Sequence, residues 1–224
     1  MSTASKTLPV AILISGTGSN MCRMAELMQA SQLPIDIKAV ISDRADAKGL
    51  STAKSMGIAT ASLNPKTFAT RSEFDAALAE KVLSYKPELV ILAGFMRILS
   101  PEFVAQFSDR MLNIHPSLLP KYPGLHTHQR ALDAGDQEHG ASVHFVTAEL
   151  DGGPVVMQAK IPMLANDTTD TLAKRVLQQE HQIYPLAVML FASGRLQSRE
   201  GTAWLDGRPL TEPLQYTSHL PESH

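Results

Sequence analysis

The sequence predicts an α/β protein with a doubly wound, mostly parallel sheet and an antiparallel C-terminal part. Three observations lead to this prediction. Short apolar runs of strand length recur, and those at 10–14 and 89–93 are continuous, as in buried parallel strands. Segments with helical spacing of apolar residues lie between the runs. Strands and helices alternate four times in about 100 residues, which favours crossover connections within a parallel sheet.

The first half of the chain is expected to hold four strands, each followed by a helix. The strands are predicted at 10–14, 36–42, 60–63 and 89–93. The helices are predicted after the loop at 15–20, from the turn at 43–46 to residue 56, at 68–85, and from residue 100 onward. Gly57 and Pro87 end the second and third helices, because glycine favours a C-cap and proline cannot continue a helix. Pro101 starts the fourth at the position where helices accept proline.

The second half is expected to supply the antiparallel part. Strands are predicted at 111–115, 141–149 and 154–163, with a short helix at 128–134. Two helices follow, one at 167–182 with Asp167 as its cap and one from Pro185 to Gly194. Turn signals at 200–201 and 206–207 indicate a small hairpin within 195–210. The expected domain spans residues 9–205, between a loose polar leader at 1–8 and a loose tail at 206–224.

Composition excludes several classes of protein. The chain has 224 residues, 44% of them hydrophobic, which fits one large domain. Lys+Arg 20 against Asp+Glu 22 gives a formal charge of -2, so neither nucleic acid nor a membrane surface is an expected partner. The single cysteine, Cys22, excludes an internal disulfide. No run resembles a signal peptide or a membrane span, so a cytoplasmic protein is expected. It is expected to be a monomer or a homodimer.

The loop SGTGSN at 15–20 follows a strand and opens a helix. This arrangement presents backbone N–H groups and a positive helix end to an anion. A dinucleotide site would need glycine where Met21 stands, and a triphosphate loop would need a lysine that is absent. A single phosphate held by Gly18, Ser19 and Asn20 fits better. A plain strand-to-helix turn capped by Ser19 or Asn20 stays open as the alternative.

The strand at 111–115 carries the residues best suited to chemistry. Asn113 and His115 lie two positions apart, so they point to the same face, and Pro116 ends the strand directly after them. Ligands bind at such strand ends in open α/β sheets. Asp151, in the glycine-rich loop at 151–154, supplies an acid. Together these groups can hold a tetrahedral oxyanion and move a proton.

Two other patterns have competing interpretations. Five histidines cluster in the sequence: His115, His126, His128, His139 and His144. His126 and His128 could chelate a metal ion, but the tighter histidine and acid spacing of metal sites is missing, so no metal is predicted. The roles of His126, His128 and His144 stay open. The apolar loop at 94–99 suits a flat organic ligand at a strand end, or else forms a satellite of the core.

Several segments resemble known formyltransferases. They are ISGTGSN at 14–20, LAGFMRILS at 92–100, LNIHPSLLP at 112–120, and the run from HGASVHFV to LDGGP at 139–154. The Asn-x-His-Pro-Ser-x-Leu-Pro element is shared across the formyltransferase fold. Its combination with Gly-x-Gly-Ser-Asn and with the element at 180–185 is similar to the phosphoribosylglycinamide formyltransferases. The resemblance covers residues 10–205.

The resemblance implies transfer of a formyl group from the co-substrate 10-formyltetrahydrofolate to the amine of glycinamide ribonucleotide, in purine (IMP) biosynthesis. The reaction would use direct amine attack, a tetrahedral oxyanion and no metal, with small molecules as the only partners. The implied catalytic residues are Asn113, His115 and Asp151. The implied ribonucleotide-binding residues are Gly18, Ser19, Asn20 and Glu180. The implied folate-binding residues are Arg71, Met96, Arg97, Ile98, Leu99, Asn113, Thr147 and Asp151.

Three rival functions are weighed against this one. A formyltetrahydrofolate hydrolase has a similar Asn, His and Asp core. Such hydrolases also have an extra N-terminal domain, for which this chain is expected to have no room. A methionyl-tRNA formyltransferase would need a further C-terminal domain and a basic surface. A non-catalytic phosphate- or folate-binding module would explain the glycine loop but not the co-occurrence of Asn113, His115 and Asp151.

Overall fold

The computed structural model describes residues 7–217, so residues 1–6 of the expected leader and 218–224 of the expected tail lie outside it. The strands are β1 Leu8–Ile14, β2 Ile35–Ser42, β3 Thr60–Ser62, β4 Leu89–Leu92, β5 Met111–His115, β6 Glu138–Phe145, β7 Val155–Pro162, β8 Leu196–Arg199, β9 Thr202–Leu205, β10 Arg208–Pro209 and β11 Leu214–Tyr216. The helices are α1 Ser19–Gln29, α2 Lys48–Ser55, α3 Arg71–Ser84, α4 Pro101–Gln106, α5 Thr127–Asp133 and α6 Thr169–Ala192, with a 3-10 turn at Pro65–Thr67.

The main sheet has eight strands in the order β11-β7-β6-β5-β4-β1-β2-β3. Strands β3, β2, β1, β4 and β5 are parallel, whereas β6 is antiparallel to both of its neighbours, β5 and β7. Strands β8, β9 and β10 form a separate antiparallel sheet. The predicted fold class, a doubly wound and mostly parallel sheet with an antiparallel C-terminal part, is confirmed.

Helices cover both faces of the sheet, as the alternation of side chains on β1 illustrates. Ile12 and Ile14 point into a core that includes Tyr184 of α6, while Leu13 points into a second core with Phe74 and Phe103. All six side chains are buried. Because both faces of the strand are covered, its apolar run is continuous rather than alternating. The carboxyl ends of β1, β4 and β5 therefore open at one edge, between the two layers of helices.

The prediction of two separate helices at 167–182 and from Pro185 was wrong, since α6 runs unbroken through Pro185. A proline inside a helix costs about 3 kcal/mol. Here Tyr184 and Val188 flank Pro185 and are fully buried, so packing of α6 on the sheet offsets that cost. The predicted cap was also wrong. Thr168 is the N-cap, in a reciprocal pair with Thr171, whereas Asp167 pairs with Arg175.

The expected tail differs most from the structure. The hairpin predicted within 195–210 is present, and its turns place Glu200 and Asp206 in the left-handed conformation that two-residue hairpin turns require. Residues 206–217 are not loose, however. They include β10 and also β11, which adds a parallel strand to the main sheet beside β7. The pattern of β11 is too short and polar to be predicted as a strand.

Candidate active site

The end of β5 carries Asn113 and His115 on one face, as predicted. His115 is buried, and its Nε2 donates a hydrogen bond of 2.8 Å to the carbonyl oxygen of Tyr122. Tyr122 has a positive φ of 55°, a conformation that costs free energy and is kept where the surrounding structure enforces it. The loop after β5 therefore folds back and fixes the ring of His115. The other ring nitrogen, Nδ1, is left facing Asp151.

Asp151 lies against this histidine. Its Oδ2 is 3.4 Å from His115 Nδ1 and accepts a hydrogen bond of 2.8 Å from the backbone N–H of Gly124. Asp151 also has a positive φ, of 50°. The loop turns tightly here because Gly153 packs on the backbone, where an added Cβ would lie 1.9 Å from the carbonyl oxygen of Phe145. Antiparallel pairing of β6 and β7 thus returns Asp151 to the end of β5.

His144 was missed as a member of this group. Residue 144 pairs with Asn113 across β5 and β6, and its Nε2 lies 3.0 Å from Asn113 Nδ2 and 3.7 Å from Asp151 Oδ1. Its Nδ1 lies 2.9 Å from the carbonyl oxygen of Phe145. Burial lowers the pKa of His144, and nearby Asp151 only partly opposes this. Ser142 and His144 alternate with Val143 and Phe145 in the sequence, which was the available signal, but the register that sets His144 opposite Asn113 was not predictable.

A buried polar network fixes the loop that follows His115. The hydroxyl of Ser142 donates to the carbonyl of Ser117 at 2.7 Å and accepts from the backbone N–H of Leu119 at 3.0 Å. Gln158 donates to both Ser142 Oγ and the Leu119 carbonyl, at 2.9 and 2.8 Å. Sequence reasoning did not single out these residues. Their network anchors the loop to β6 and β7, so the backbone that holds His115 has little freedom to shift.

The glycine loop opens α1. The N-cap of this helix is Gly18, with φ of 67°, and no side chain caps the helix. The alternative in which Ser19 or Asn20 caps the helix is therefore wrong, and the first backbone N–H groups of α1 have no helical partner. Asn20 is buried and donates through Nδ2 to Glu180 Oε2 at 2.7 Å. Burial raises the pKa of Glu180, and the Asn20 hydrogen bond opposes this.

A cavity of about 570 Å³ lies over this loop. Its lining includes residues 15–20, Arg44, Met96, His128 and Glu180. Backbone N–H groups, a positive helix end and an arginine make this cavity suited to an anion. The loop is tied to its neighbour, because Ser15 donates its N–H to the Gly94 carbonyl and accepts from the N–H of Met96.

A second cleft, of about 90 Å³, has Asn113 in its lining. Six of the expected folate residues line it, namely Arg97, Ile98, Leu99, Asn113, Thr147 and Asp151, and His144 lines it too. Met96 instead lines the cavity over the glycine loop. Arg71 lines neither cleft, because its guanidinium donates to the Ile98 carbonyl and approaches Asp75. Arg71 therefore braces the loop at 96–99 from behind.

The other three histidines of the sequence cluster do not form a metal site, namely His126, His128 and His139. His128 Nδ1 and His139 Nε2 are 3.0 Å apart and share one hydrogen bond, while His126 forms the N-cap of α5. Burial lowers the pKa of His139 to about 4 and also lowers that of His128. Between residues 7 and 217, no group of three or more His, Cys, Asp or Glu side chains could hold a metal ion. No helix in that range is long and apolar enough to cross a membrane.

A comparison with known protein families decides which family this site belongs to. The formyl transferase family (Formyl_trans_N) matches residues 8–188, most of the chain. The chain belongs to the formyl transferase family. This formyltransferase is 53% identical to the phosphoribosylglycinamide formyltransferase of Escherichia coli (strain K12), over 90% of the chain and 95% of that protein. It is 42% identical to the trifunctional purine biosynthetic protein adenosine-3 of Homo sapiens, over 87% of the chain and 19% of that protein.

Solved structures agree. The phosphoribosylglycinamide formyltransferase of Coxiella burnetii superposes with a TM-score of 0.90 at 46% identity, covering 94% of this chain and all of that one. Glycinamide ribonucleotide transformylase 1 of Symbiobacterium toebii superposes with a TM-score of 0.88 at 41% identity, covering 92% of this chain and 97% of that one. The formyltransferase is therefore an enzyme that transfers a one-carbon group, and the predicted formyltransferase fold is confirmed.

Proposed function

We propose that this formyltransferase transfers the formyl group of 10-formyltetrahydrofolate to the amine of glycinamide ribonucleotide, a step of purine biosynthesis. The observation that carries the proposal is the meeting of Asn113, His115 and Asp151 at one strand end, between two clefts of different character. One cleft suits a phosphorylated substrate and the other an organic ring. The similarity to phosphoribosylglycinamide formyltransferases supplies the identity of both.

The cavity over the glycine loop would take the ribonucleotide. The free N–H groups at Ser19 and Asn20 would bind the phosphate at the positive end of α1. The buried Asn20 Oδ1 has no hydrogen-bond partner among the described residues, and Glu180 lies beside it. Two acceptors next to an anion site match a sugar that bears hydroxyl groups beside its phosphate. The ribonucleotide would thus be held from its phosphate end, which leaves its amine free to reach β5.

The second cleft would take the folate. The loop at 96–99 supplies an apolar wall with Ile98 and Leu99, and the loop at 147–151 faces it. A cleft of about 90 Å³ is smaller than the few hundred Å³ of typical small-molecule pockets. We therefore expect the exposed segment at 148–150 to move outward when the pterin ring enters. The formyl carbon would then lie beside Asn113, which lines this cleft.

The chemistry follows from the groups at the end of β5. The substrate amine attacks the formyl carbon, a tetrahedral oxyanion forms, and the bond from that carbon to the folate nitrogen then breaks. Asn113 donates an N–H to the oxyanion, and His115, protonated on both nitrogens, donates from Nδ1. Each such donor is worth roughly 100- to 1,000-fold in rate. The Asp151 carboxylate, 3.4 Å from that nitrogen, would stabilise the imidazolium.

Protons must also move for the reaction to balance. The attacking amine loses a proton, which Asp151 can accept directly or through one water molecule. The folate nitrogen gains that same proton from Asp151 as it leaves, so tetrahydrofolate forms and Asp151 returns to its carboxylate form. Every proton step can be served by side chains at the site. Holding both substrates at one junction supplies a further share of the rate, up to about 7–11 kcal/mol in well-oriented reactions.

One coupled assay tests the proposal. Purified protein is mixed with glycinamide ribonucleotide and 10-formyltetrahydrofolate, and formylated ribonucleotide, tetrahydrofolate and free formate are quantified. Equal amounts of the first two products support the proposal. Free formate that accumulates without ribonucleotide would identify a hydrolase, and binding of either ligand without turnover would identify a binding module. His115→Ala serves as the inactive control.

A further inference from the structure

His144 is a buried histidine beside the catalytic group that the proposed reaction does not use. Only 2% of the residue is exposed, yet its ring contacts three polar partners. Nε2 faces Asn113 and Asp151, and Nδ1 faces the carbonyl of its own neighbour, Phe145. A fully buried histidine with both nitrogens engaged has a defined protonation state, and here that state is dictated by the partners.

The contact to Phe145 fixes the tautomer. A carbonyl oxygen only accepts hydrogen bonds, so Nδ1, at 2.9 Å from it, must carry the proton. In a neutral imidazole the other nitrogen is then an acceptor. Nε2 of His144 therefore offers a lone pair to whatever lies opposite, which is the side-chain amide of Asn113 at 3.0 Å.

That lone pair decides which way the amide of Asn113 points. An amide can turn by 180° and exchange the positions of its oxygen and its N–H₂ group. Burial alone does not favour either of these two orientations. An acceptor at His144 selects the orientation with N–H₂ towards the ring. One N–H is used in this contact, which leaves the second for a ligand in the cleft that Asn113 lines. The reversed amide would present no such N–H there.

We propose that His144 is a positioning residue, whose Nδ1–H tautomer holds the amide of Asn113 with its N–H₂ group turned to the reaction site. The inference rests on the proposed function, since the free N–H matters because an oxyanion forms beside it. His144 itself need not touch either substrate's reacting atoms. It acts through Asn113.

The charged groups around His144 make this arrangement depend on a neutral ring. Asp151 Oδ1 lies 3.7 Å from Nε2, and His115 lies on the far side of that carboxylate. A proton on Nε2 would point at the N–H₂ group of Asn113, so that two donors would face each other. It would also draw Asp151 away from His115. Protonation of this one nitrogen would therefore disrupt the proposed oxyanion site in two ways.

Two variants at this position separate positioning from packing. His144→Gln places an amide oxygen near the position of Nε2 and keeps an acceptor, whereas His144→Leu fills the space without one. We expect the leucine variant to lose kcat by roughly 10- to 100-fold, less than loss of a whole oxyanion donor, with the KM of both substrates little changed. The glutamine variant should recover most of kcat. Equal losses in the two variants would overturn the inference.

A double-mutant cycle with Asn113 gives the decisive comparison. If His144 acts through Asn113, its replacement should cost almost nothing in an Asn113→Ala background, because the group that it orients is gone. A leucine effect that persists in full in that background would contradict the inference. His139→Gln serves as the matched control for stability, since His139 is also a buried histidine of β6 but is not in contact with Asn113.

A measurement on the unmodified protein needs no substrate, and the His144→Gln variant serves only to assign the signal. Nitrogen-15 NMR of histidine-labelled protein at neutral pH should contain a neutral ring protonated on Nδ1, and this signal should vanish in His144→Gln. The inference would be overturned if the signal that disappears in His144→Gln came from a ring protonated on Nε2 or on both nitrogens. If the NMR result holds and the coupled assay forms no product, then the proposed function has failed and the geometry of His144 stands.

Discussion

The two clefts beside the end of β5, one lined by Ile114 and the other by Asn113, are built in different ways. The cavity over the glycine loop offers mainly backbone groups, namely the first N–H groups of α1, and one buried pair, Asn20 with Glu180. The cleft beside Asp151 consists of interlocked side chains, since this one carboxylate faces two histidines and a backbone N–H. Backbone N–H groups cannot be removed by side-chain substitution. We therefore expect the first cleft to tolerate substitution better than the second.

Asp151→Asn should have the largest effect. The amide can keep the contact to the Gly124 N–H but cannot stabilise a charged His115 or accept the amine proton. We expect kcat/KM to fall by about 1,000-fold, within the range of general acid–base contributions, with little change in melting temperature. Steady-state kinetics with both substrates measures this. Asp206→Asn is the matched control, because Asp206 pairs with Arg195 at the separate small sheet and should leave kcat nearly unchanged.

The pair of His128 and His139 should make the stability of the protein fall in acid. His139 has an ordinary pKa of 6.5 and a folded pKa of about 4, so the unfolded chain binds its proton first as pH falls. The free energy of unfolding should be constant above about pH 6.5, fall as pH drops towards 4, and lose up to about 3 kcal/mol from this group. His128, its partner, lines the cavity over the glycine loop.

Chemical denaturation at several pH values measures this stability. The carboxylates also titrate as the pH falls, so the contribution of His139 is the difference between the wild-type curve and that of His139→Gln. Parallel curves for the two proteins would contradict the prediction. A steeper wild-type curve between pH 6.5 and 4 would support it.

Glu180→Gln should have a smaller and more selective effect. The substitution removes the charge but leaves an oxygen that can accept from Asn20, so the fold should be kept. Hydrogen bonds to a charged group contribute about 1.5–3 kcal/mol, which corresponds to a rise of roughly 10- to 100-fold in the KM of the ribonucleotide. The KM of the folate is the internal control and should not move. A rise in both constants would mean that the two clefts are not independent.

Gly18→Ala should be the mildest change. A positive φ costs an L-residue about 1 kcal/mol, and the added Cβ would lie 3.2 Å from the flexible end of Met21. We expect a loss of about 1 kcal/mol in the free energy of unfolding and a few-fold rise in the KM of the ribonucleotide. If ribonucleotide binding weakened as much as in Glu180→Gln, the cavity over the glycine loop would not tolerate substitution as expected. Thermal denaturation and kinetics measure the two effects.

Local patterns were sufficient to predict one cleft but not the other. The glycine loop lies between a strand and a helix that are adjacent in sequence, and the face shared by Asn113 and His115 follows from a spacing of two. The contact of His144 with Asn113 depends instead on the register of two antiparallel strands, which 31 positions separate in sequence. Likewise, α6 continues through Pro185 because of packing partners far along the chain.

The small strand β11 has a further consequence for how this protein behaves in solution. It covers Met157, Gln158 and Ala159 in the middle of β7, a strand of eight residues whose other edge is already paired with β6. A chain that stopped at Leu205 would expose this edge, with its backbone N–H and C=O groups free to pair with another molecule. Such a chain should self-associate in a concentration-dependent way, although every residue of the two clefts would be present.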